Sequence, residues 1–230
     1  MNIILDAIFP KYCILCKSLG SNLCEKCKKN LQLTSFESCI VCDRLSIDGI
    51  THLKCKNKYS PDRYISLCYY NQLARKIILN AKYNQKSYKL FDDFINIREN
   101  LIKLDSIKPI DIIIPIPMTK SFKKLSDINH AEYIARKISE TIKVPICDAL
   151  IKTTKISQKR LSKDQRHINI SGKIKLNTGL IPQIKDKAIL LVDDVLTTGA
   201  TMLESTKILK ANGAKNITCL TLTKDEFHNV

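Results

Sequence analysis

The chain has 230 residues, 44% of them hydrophobic and 26% charged, which is ordinary for a globular protein with one core and a small appended module. Its formal net charge of +16 favours a polyanionic partner, such as a nucleic acid or a phosphorylated small molecule, although an A+T-rich genome that fills surfaces with Lys gives the same excess. No apolar run approaches the ~18 residues that cross a bilayer, and no stretch resembles an export signal, so we expect a cytoplasmic protein without membrane insertion.

Seven of the ten cysteines lie in the first quarter of the chain, where their spacing predicts metal ligands rather than disulfides. Two Cys-x2-Cys knuckles complete a tetrahedral zinc site, and a third knuckle finds a partner of equal spacing in a His-x2-Cys pair. A crossed pairing, in which the first and third knuckles share an ion, stays open. We expect one or two structural Zn²⁺ ions, held by Cys13, Cys16, Cys24, Cys27, Cys39, Cys42, His52 and Cys55.

A turn at residues 60–62 ends this zinc-ribbon or knuckle module, residues 1–62, and a second domain, residues 63–230, follows. Its hydrophobic pattern predicts strands at 64–70, 110–116, 188–192 and 217–222, and helices at 73–82, 88–103, 131–143 and 204–211. Cys68, Cys147 and Cys219 stand among apolar residues and are predicted to be small core residues. The alternation predicts an α/β fold with a doubly wound, mainly parallel sheet, whose ligands bind at the carboxyl ends of the strands.

Residues 189–201 are the most informative stretch, because they predict a strand that ends at two acids and opens through a Thr/Gly loop into a helix. The loop's N–H groups and hydroxyls can hold an anion at the helix N-terminus, and Gly199 allows close approach. Phosphate repels carboxylates, so the acids should face another part of the ligand, such as a ribose diol with or without a divalent cation. The predicted ribose-phosphate site comprises Asp193, Asp194, Thr197, Thr198, Gly199, Ala200 and Thr201.

This pattern resembles the 5-phosphoribosyl-1-pyrophosphate (PRPP) motif of type I phosphoribosyltransferases: four apolar residues, two acids, then Thr-Thr-Gly and Thr. The resemblance implies that the acids hold the ribose hydroxyls and the loop holds the 5′-phosphate, with Mg²⁺ accompanying PRPP. It also implies that a loop after an early strand holds pyrophosphate. Lys120, Lys123 and Lys124, which follow the strand predicted at 110–116, can do so through charge, or can form a solvated basic loop.

A second basic segment, residues 152–175, has eight Lys or Arg residues against one acid, Asp164. Few apolar residues interrupt it, which predicts an exposed hood that closes over pyrophosphate, grips a nucleic-acid backbone or is simply solvated. Arg166 is a candidate pyrophosphate contact. The candidate DNA contacts are Lys155, Lys159, Arg160 and Lys163.

A Cys-rich module joined to a phosphoribosyltransferase domain resembles the ComF (ComFC) family of natural transformation over nearly the whole chain. The residues that carry the match are Phe9, Pro10, Lys82, Tyr83, residues 114–117, Gln158, Leu161, Arg166, Asn169 and residues 193–201. Before the helix predicted at 131–143 the family usually reads Arg-Gly-Phe-Asn-Gln, whereas residues 126–130 retain only Asn129. The resemblance implies a protein that binds single-stranded DNA and PRPP and works with a ComF-type helicase and the DNA-uptake channel.

Two other functions fit parts of the sequence. The phosphate loop alone also suits a metabolic, nucleotide-salvage-type phosphoribosyltransferase that releases pyrophosphate from PRPP. The knuckles alone suit a zinc-dependent scaffold whose PRPP pocket is not catalytic. No residue stands out as a general base, and a fold does not fix a function, so the sequence leaves catalysis undecided.

Overall fold

The computed structural model of the chain describes residues 10–83, 88–107, 109–118, 129–153 and 173–225. The strands are β1 (Arg63–Tyr69), β2 (Ile112–Pro115), β3 (Leu150–Lys152), β4 (Ile174–Leu176), β5 (Ala188–Leu196) and β6 (Asn216–Lys224). Four of them form a parallel sheet in the order β1–β6–β5–β2. The other two, β3 and β4, form an antiparallel pair beside it.

The helices in the described residues are α1 (Glu25–Lys29), α2 (Gln72–Tyr83), α3 (Leu90–Ile95), α4 (Arg98–Ser106), α5 (His130–Ile142), α6 (Ile181–Ile184) and α7 (Ala200–Ala211). The single helix predicted at 88–103 was wrong, because the backbone turns at Asn96 and becomes extended at Ile97. The Asn100 side chain donates to the Phe94 carbonyl at 2.7 Å and so satisfies an acceptor at the break. No helix in the described parts of the chain is long and apolar enough to cross a membrane.

Alternate strand residues enter two separate cores. Leu190 and Val192 of β5 pack with α2, α3, α4 and α5 in the first, which we name core one. Ile189 and Leu191 pack with α6 and α7 on the opposite face of the sheet, in core two. Burial on both faces is the reason that β5 is continuously apolar, and it confirms the predicted doubly wound parallel sheet. Cys68, Cys147 and Cys219 are buried, as predicted.

The strand β5 is longer than predicted, which changes the position of the two acids. It continues to Leu196 because β6 runs beside it as far as Lys224, with Asp193 opposite Thr221. Both acids therefore belong to the ladder rather than to the following loop. Since successive strand residues point to opposite faces, Asp194 points toward the face of core one and Asp193 toward the face of core two.

The Cys-rich part of the chain packs on both faces of the sheet and along its β1 edge. Cys13 and Cys27 are buried in core one, whereas Ile40 is buried in core two. Single antiparallel bridges join Leu33 to Cys68 and Ile50 to Arg63, so backbone from this part lies beside the outer strand β1. The domain boundary at residue 62 stays a prediction.

Candidate functional site

The end of β5 leads through residues 197–199 into the N-terminus of α7. Gly199 is the N-cap of this helix and has a φ of 70°, in the left-handed region that glycine adopts without strain. The Ala200 N–H donates to Thr198 Oγ1 at 3.4 Å. Because the first N–H groups of a helix have no partner within it, this terminus can receive an anion. The structure thus brings together the predicted phosphate residues Thr197, Thr198, Gly199, Ala200 and Thr201.

Asp194 forms an ion pair with a lysine from another element. Its Oδ2 lies 2.8 Å from Lys82 Nζ, in the last turn of α2, and the Asp194 residue is only 9% exposed. Burial of Lys82 works against its charge, but the Asp194 carboxylate outweighs this and raises the pKa of Lys82. The carboxylate is therefore held in a fixed place beside the loop by a charged partner.

Asp193 is the more strongly perturbed acid. Burial, together with the neighbouring Asp194 carboxylate, raises the pKa of Asp193 to about 7. Its Oδ1 accepts the Asp194 N–H at 2.9 Å. Burial lowers the pKa of Lys152 on β3, against the opposing effect of Asp193. Asp193 consequently changes its charge near neutral pH, in surroundings that include two lysines, Lys82 and Lys152.

His130, the first residue of α5, contributes an imidazole to the same face as Asp194. Burial lowers the pKa of His130, although the Asp194 carboxylate opposes the shift, so the ring is neutral at pH 7. The ring packs edge-on against Phe91, with 5.8 Å between the centroids. The Asn129 side chain donates to the Ile116 carbonyl at 3.3 Å, which fixes the start of α5 beside the end of β2.

Lys82, His130 and Lys152 belong to this site but were not predicted as site residues. Lys82 had appeared only in the ComF resemblance, and no local pattern links α2 to β5. Lys152 was predicted in an exposed hood, which was wrong for this residue, since it is half-buried in the β3–β4 pair. The roles of the remaining candidates stay predictions, because the described residues do not include Lys120, Lys123, Lys124, Lys155, Lys159, Arg160, Lys163 and Arg166.

The structure gathers the eight predicted metal ligands into two groups. Within each group every ligand atom lies within 4.8 Å of the others. Tetrahedral Zn–S bonds of about 2.3 Å place sulfur atoms about 3.8 Å apart, so both groups can hold a zinc ion. The pairing is sequential rather than crossed: Cys13, Cys16, Cys24 and Cys27 form group one, and Cys39, Cys42, His52 and Cys55 form group two.

The two groups share one local geometry, an internal repeat that the sequence analysis missed. In each first knuckle the residue after the second Cys is left-handed, with φ of 64° at Lys17 and 55° at Asp43. Its N–H donates to the carbonyl of the first Cys at 2.8 Å in both cases. A single antiparallel bridge closes each knuckle, between Tyr12 and Leu19 and between Ser38 and Leu45. The letters repeat as well: residues 13–19 read CILCKSL and residues 39–45 read CIVCDRL, with Ile14 and Ile40 at equivalent positions.

The hydrogen bonds around the ligand atoms also suit zinc. His52 Nδ1 lies 3.3 Å from Cys42 Sγ, while its Nε2 donates to the Leu45 carbonyl at 2.9 Å. A histidine that donates through Nε2 presents a bare Nδ1, the form that ligates a metal. In group one, hydrogen bonds from Ser18 lower the pKa of Cys16 to about 6, which favours the thiolate.

Comparison with known proteins agrees with this geometry. Residues 129–226, which include α5, β5, the phosphate loop and β6, match the family model of the phosphoribosyl transferase domain. Competence protein F of Haemophilus influenzae is 24% identical over 219 residues, covering 89% of this chain and 93% of that protein. The chain is therefore similar to Competence protein F over most of its length, and residues 129–226 are similar to the phosphoribosyl transferase domain.

Solved phosphoribosyltransferase structures are also similar. An adenine phosphoribosyl transferase from Trypanosoma brucei, in complex with AMP, pyrophosphate and ribose-5-phosphate, matches 72% of this chain and 87% of its own, with 15% identity and a TM-score of 0.38. The allosteric regulatory enzyme of purine biosynthesis matches 81% of this chain with 18% identity and a TM-score of 0.36. The present chain covers only 30% of that enzyme's chain.

Proposed function

We propose that this chain is a cytoplasmic ComF-type protein that binds PRPP at the end of β5 and handles single-stranded DNA during natural transformation. The observation that carries the PRPP site is the left-handed Gly199, which opens α7 five residues after the second acid of β5. In the proposed complex the N–H groups of the loop bind the 5′-phosphate. Asp193 and Asp194 accept hydrogen bonds from the ribose hydroxyls.

The lysines around the acids reduce the electrostatic repulsion between the two carboxylates and a polyanionic ligand. Lys82 lies 2.8 Å from Asp194, and Lys152 interacts electrostatically with Asp193. Both cations stay on the protein, so they reduce the local negative charge before the ligand arrives. Mg²⁺ prefers oxygen ligands, and the carboxylates of Asp193 and Asp194 are the protein oxygens suited to hold it with PRPP; when bound, it supplies positive charge toward the pyrophosphate.

Phosphoribosyl transfer is a second candidate function, favoured by the family match over residues 129–226. Transfer breaks the bond between C1 of the ribose and pyrophosphate and forms a bond between C1 and a nitrogen of the acceptor base or amine, which gives up a proton to solvent. This chain's residues would fix the sugar and hold the leaving pyrophosphate. Release of pyrophosphate in the presence of a panel of bases and amines tests this candidate. PRPP binding without release supports a pocket that binds its ligand without turning it over.

The DNA-handling part of the proposal is supported by the relationship to Competence protein F and by the net charge of +16. Two structural Zn²⁺ ions at groups one and two would fold a Cys-rich region that has few apolar residues of its own. As a member of an uptake system, the protein would act with a ComF-type helicase and the DNA-uptake channel.

Titration calorimetry with PRPP and Mg²⁺ tests the pocket. Asp193→Ala combined with Asp194→Ala should weaken PRPP binding by at least about a hundredfold, because both diol acceptors are lost. The matched control is Asp105→Ala with Asp148→Ala, which removes the same charge from two exposed positions. Unchanged PRPP affinity in the first double variant would refute the pocket assignment.

A further inference from the structure

The knuckle of group two lies against the phosphate loop. A methyl group placed on Gly199 would stand 3.7 Å from Ile40 Cγ1 and 3.7 Å from the Ile40 carbonyl oxygen, so Ile40 is the neighbour that Gly199 faces, about one methyl group away. Ile40 is only 7% exposed and shares core two with Met202 of α7. One isoleucine thus lies next to the loop and is buried in the core beneath the helix that the loop opens.

Ile40 stands between two metal ligands. It follows the buried Cys39 and precedes Cys42, and both thiols belong to group two. A zinc ion bound by these thiols restrains the backbone between them, so it also fixes the position of Ile40. A single residue, Ile40, therefore lies between the thiol ligands of group two and the phosphate loop.

A second contact holds the same knuckle to the strand ends. Lys224 Nζ donates to Ser38 Oγ at 3.2 Å and to the Phe36 carbonyl at 3.4 Å. Lys224 is 2% exposed and lies opposite Leu196, the last residue of β5 before the loop. Lys224 therefore holds the knuckle beside the last residue of β5, and Ile40 of the same knuckle lies beside Gly199 at the start of α7.

Group one lies elsewhere and provides an internal comparison. Its Cys13 and Cys27 are buried in core one, on the opposite face of the sheet from α7. Ile14 occupies in its knuckle the place that Ile40 occupies in the other, and it packs partly buried against core one. The repeated knuckle therefore offers the same side chain at equivalent positions, one beside the loop and one remote from it.

We propose that the metal of group two positions the phosphate loop through Ile40, so that ligand binding at the loop depends on this metal site. Ile40 acts as a positioning residue: it limits where the loop backbone at Gly199 can move and does not itself bind the ligand. The identity of the ligand in this inference rests on the proposed function. The position of Ile40 beside the loop does not depend on that function.

Calorimetry with PRPP and Mg²⁺ on the full chain tests the effect on binding. Ile40→Ala should weaken PRPP binding about tenfold, whereas Ile40→Val, which keeps most of the contact, and Ile14→Ala should stay within about twofold of the wild type. Metal analysis should find the same zinc content in all four proteins. Wild-type affinity in Ile40→Ala, or an equal loss in Ile14→Ala, would overturn the proposal.

Hydrogen exchange without ligand separates this inference from the proposed function. Amides of residues 197–201 should exchange faster in Ile40→Ala and in His52→Ala, which removes one ligand of group two, but not in Ile14→Ala. Amides of β6 residues 217–222 should be unaffected, which distinguishes a local effect from general unfolding. If the wild type does not bind PRPP, the proposed function is wrong, but the exchange rates still test whether Ile40 positions the loop. Unchanged exchange at residues 197–201 in Ile40→Ala would reject the positioning role of Ile40.

Discussion

At the scale of single residues, the two adjacent acids experience different surroundings because a strand sends them to opposite faces. Asp194 is paired with Lys82 at 2.8 Å, whereas Asp193 is half-buried, forms no ion pair that short within the described residues, and has its pKa raised to about 7. Unequal environments for neighbouring carboxyl groups are a common feature of ligand sites. The pair therefore presents one carboxylate held in an ion pair and one carboxyl group whose charge responds to pH.

The raised pKa of Asp193 predicts a pH-dependent stability. Between the ordinary carboxyl pKa near 4 and about 7, the folded state binds more protons than the unfolded state, so the free energy of unfolding falls as pH rises through this window. Relative to Asp193→Asn, the wild type should lose up to about 4 kcal/mol between pH 4 and pH 8, as measured by urea denaturation, since each pKa unit corresponds to about 1.4 kcal/mol. Asp148→Asn, at an exposed position, is the control; parallel curves for wild type and Asp193→Asn would contradict the prediction.

The ion pair between Lys82 and Asp194 predicts a coupled loss of stability. Lys82→Met leaves a buried carboxylate without its partner and should cost about 1–3 kcal/mol of unfolding free energy. Adding Asp194→Asn should recover much of that loss, because the unpaired charge disappears. A double-mutant cycle measures the coupling. Additive effects of the two substitutions would show that the 2.8 Å contact contributes nothing to stability.

At the scale of elements, the sequence predicted those features that local chemistry determines. The strand–loop–helix at residues 188–211 follows from an apolar run and a Thr/Gly loop. The eight metal ligands follow from Cys and His spacing, although the spacing left their pairing open. The length of β5 depends on its partner β6, and the contact between Lys82 and Asp194 joins α2 to β5. Such features arise from tertiary pairing, which no local pattern encodes.

The phosphate loop depends on the left-handed conformation of its glycine. Gly199→Ala should cost about 1–2 kcal/mol, because an L-residue at φ 70° is strained even though the added methyl has ordinary contacts at 3.7 Å. PRPP binding should weaken in parallel. Gly179→Ala is the matched control, since the nearest atom to its added methyl is 3.5 Å away and its φ is not left-handed. Equal thermal stability of the two variants would contradict this account.

At the scale of the whole molecule, the candidate sites among the described residues all lie against one sheet. Core one holds two ligands of metal group one, and core two holds Ile40 from the knuckle of group two. Between these cores, the carboxyl end of β5 carries the acids and the phosphate loop. The Cys-rich segments therefore form part of the packing that surrounds the pocket, with Ile40 of the group-two knuckle lying beside Gly199.

The net charge of +16 predicts a salt-sensitive affinity for single-stranded DNA. If Lys159, Arg160 and Lys163 each neutralise one phosphate, their replacement by Ala should reduce the slope of log K against log salt concentration by about 2, since each contact with a single strand contributes about 0.7. Fluorescence anisotropy of a labelled oligonucleotide at several salt concentrations measures that slope. Replacing exposed Lys76, Lys187 and Lys207 removes the same charge from three other positions and should leave the slope unchanged. An equal reduction in both triple variants would indicate a diffuse electrostatic attraction, and undetectable binding at low salt would remove DNA as a partner.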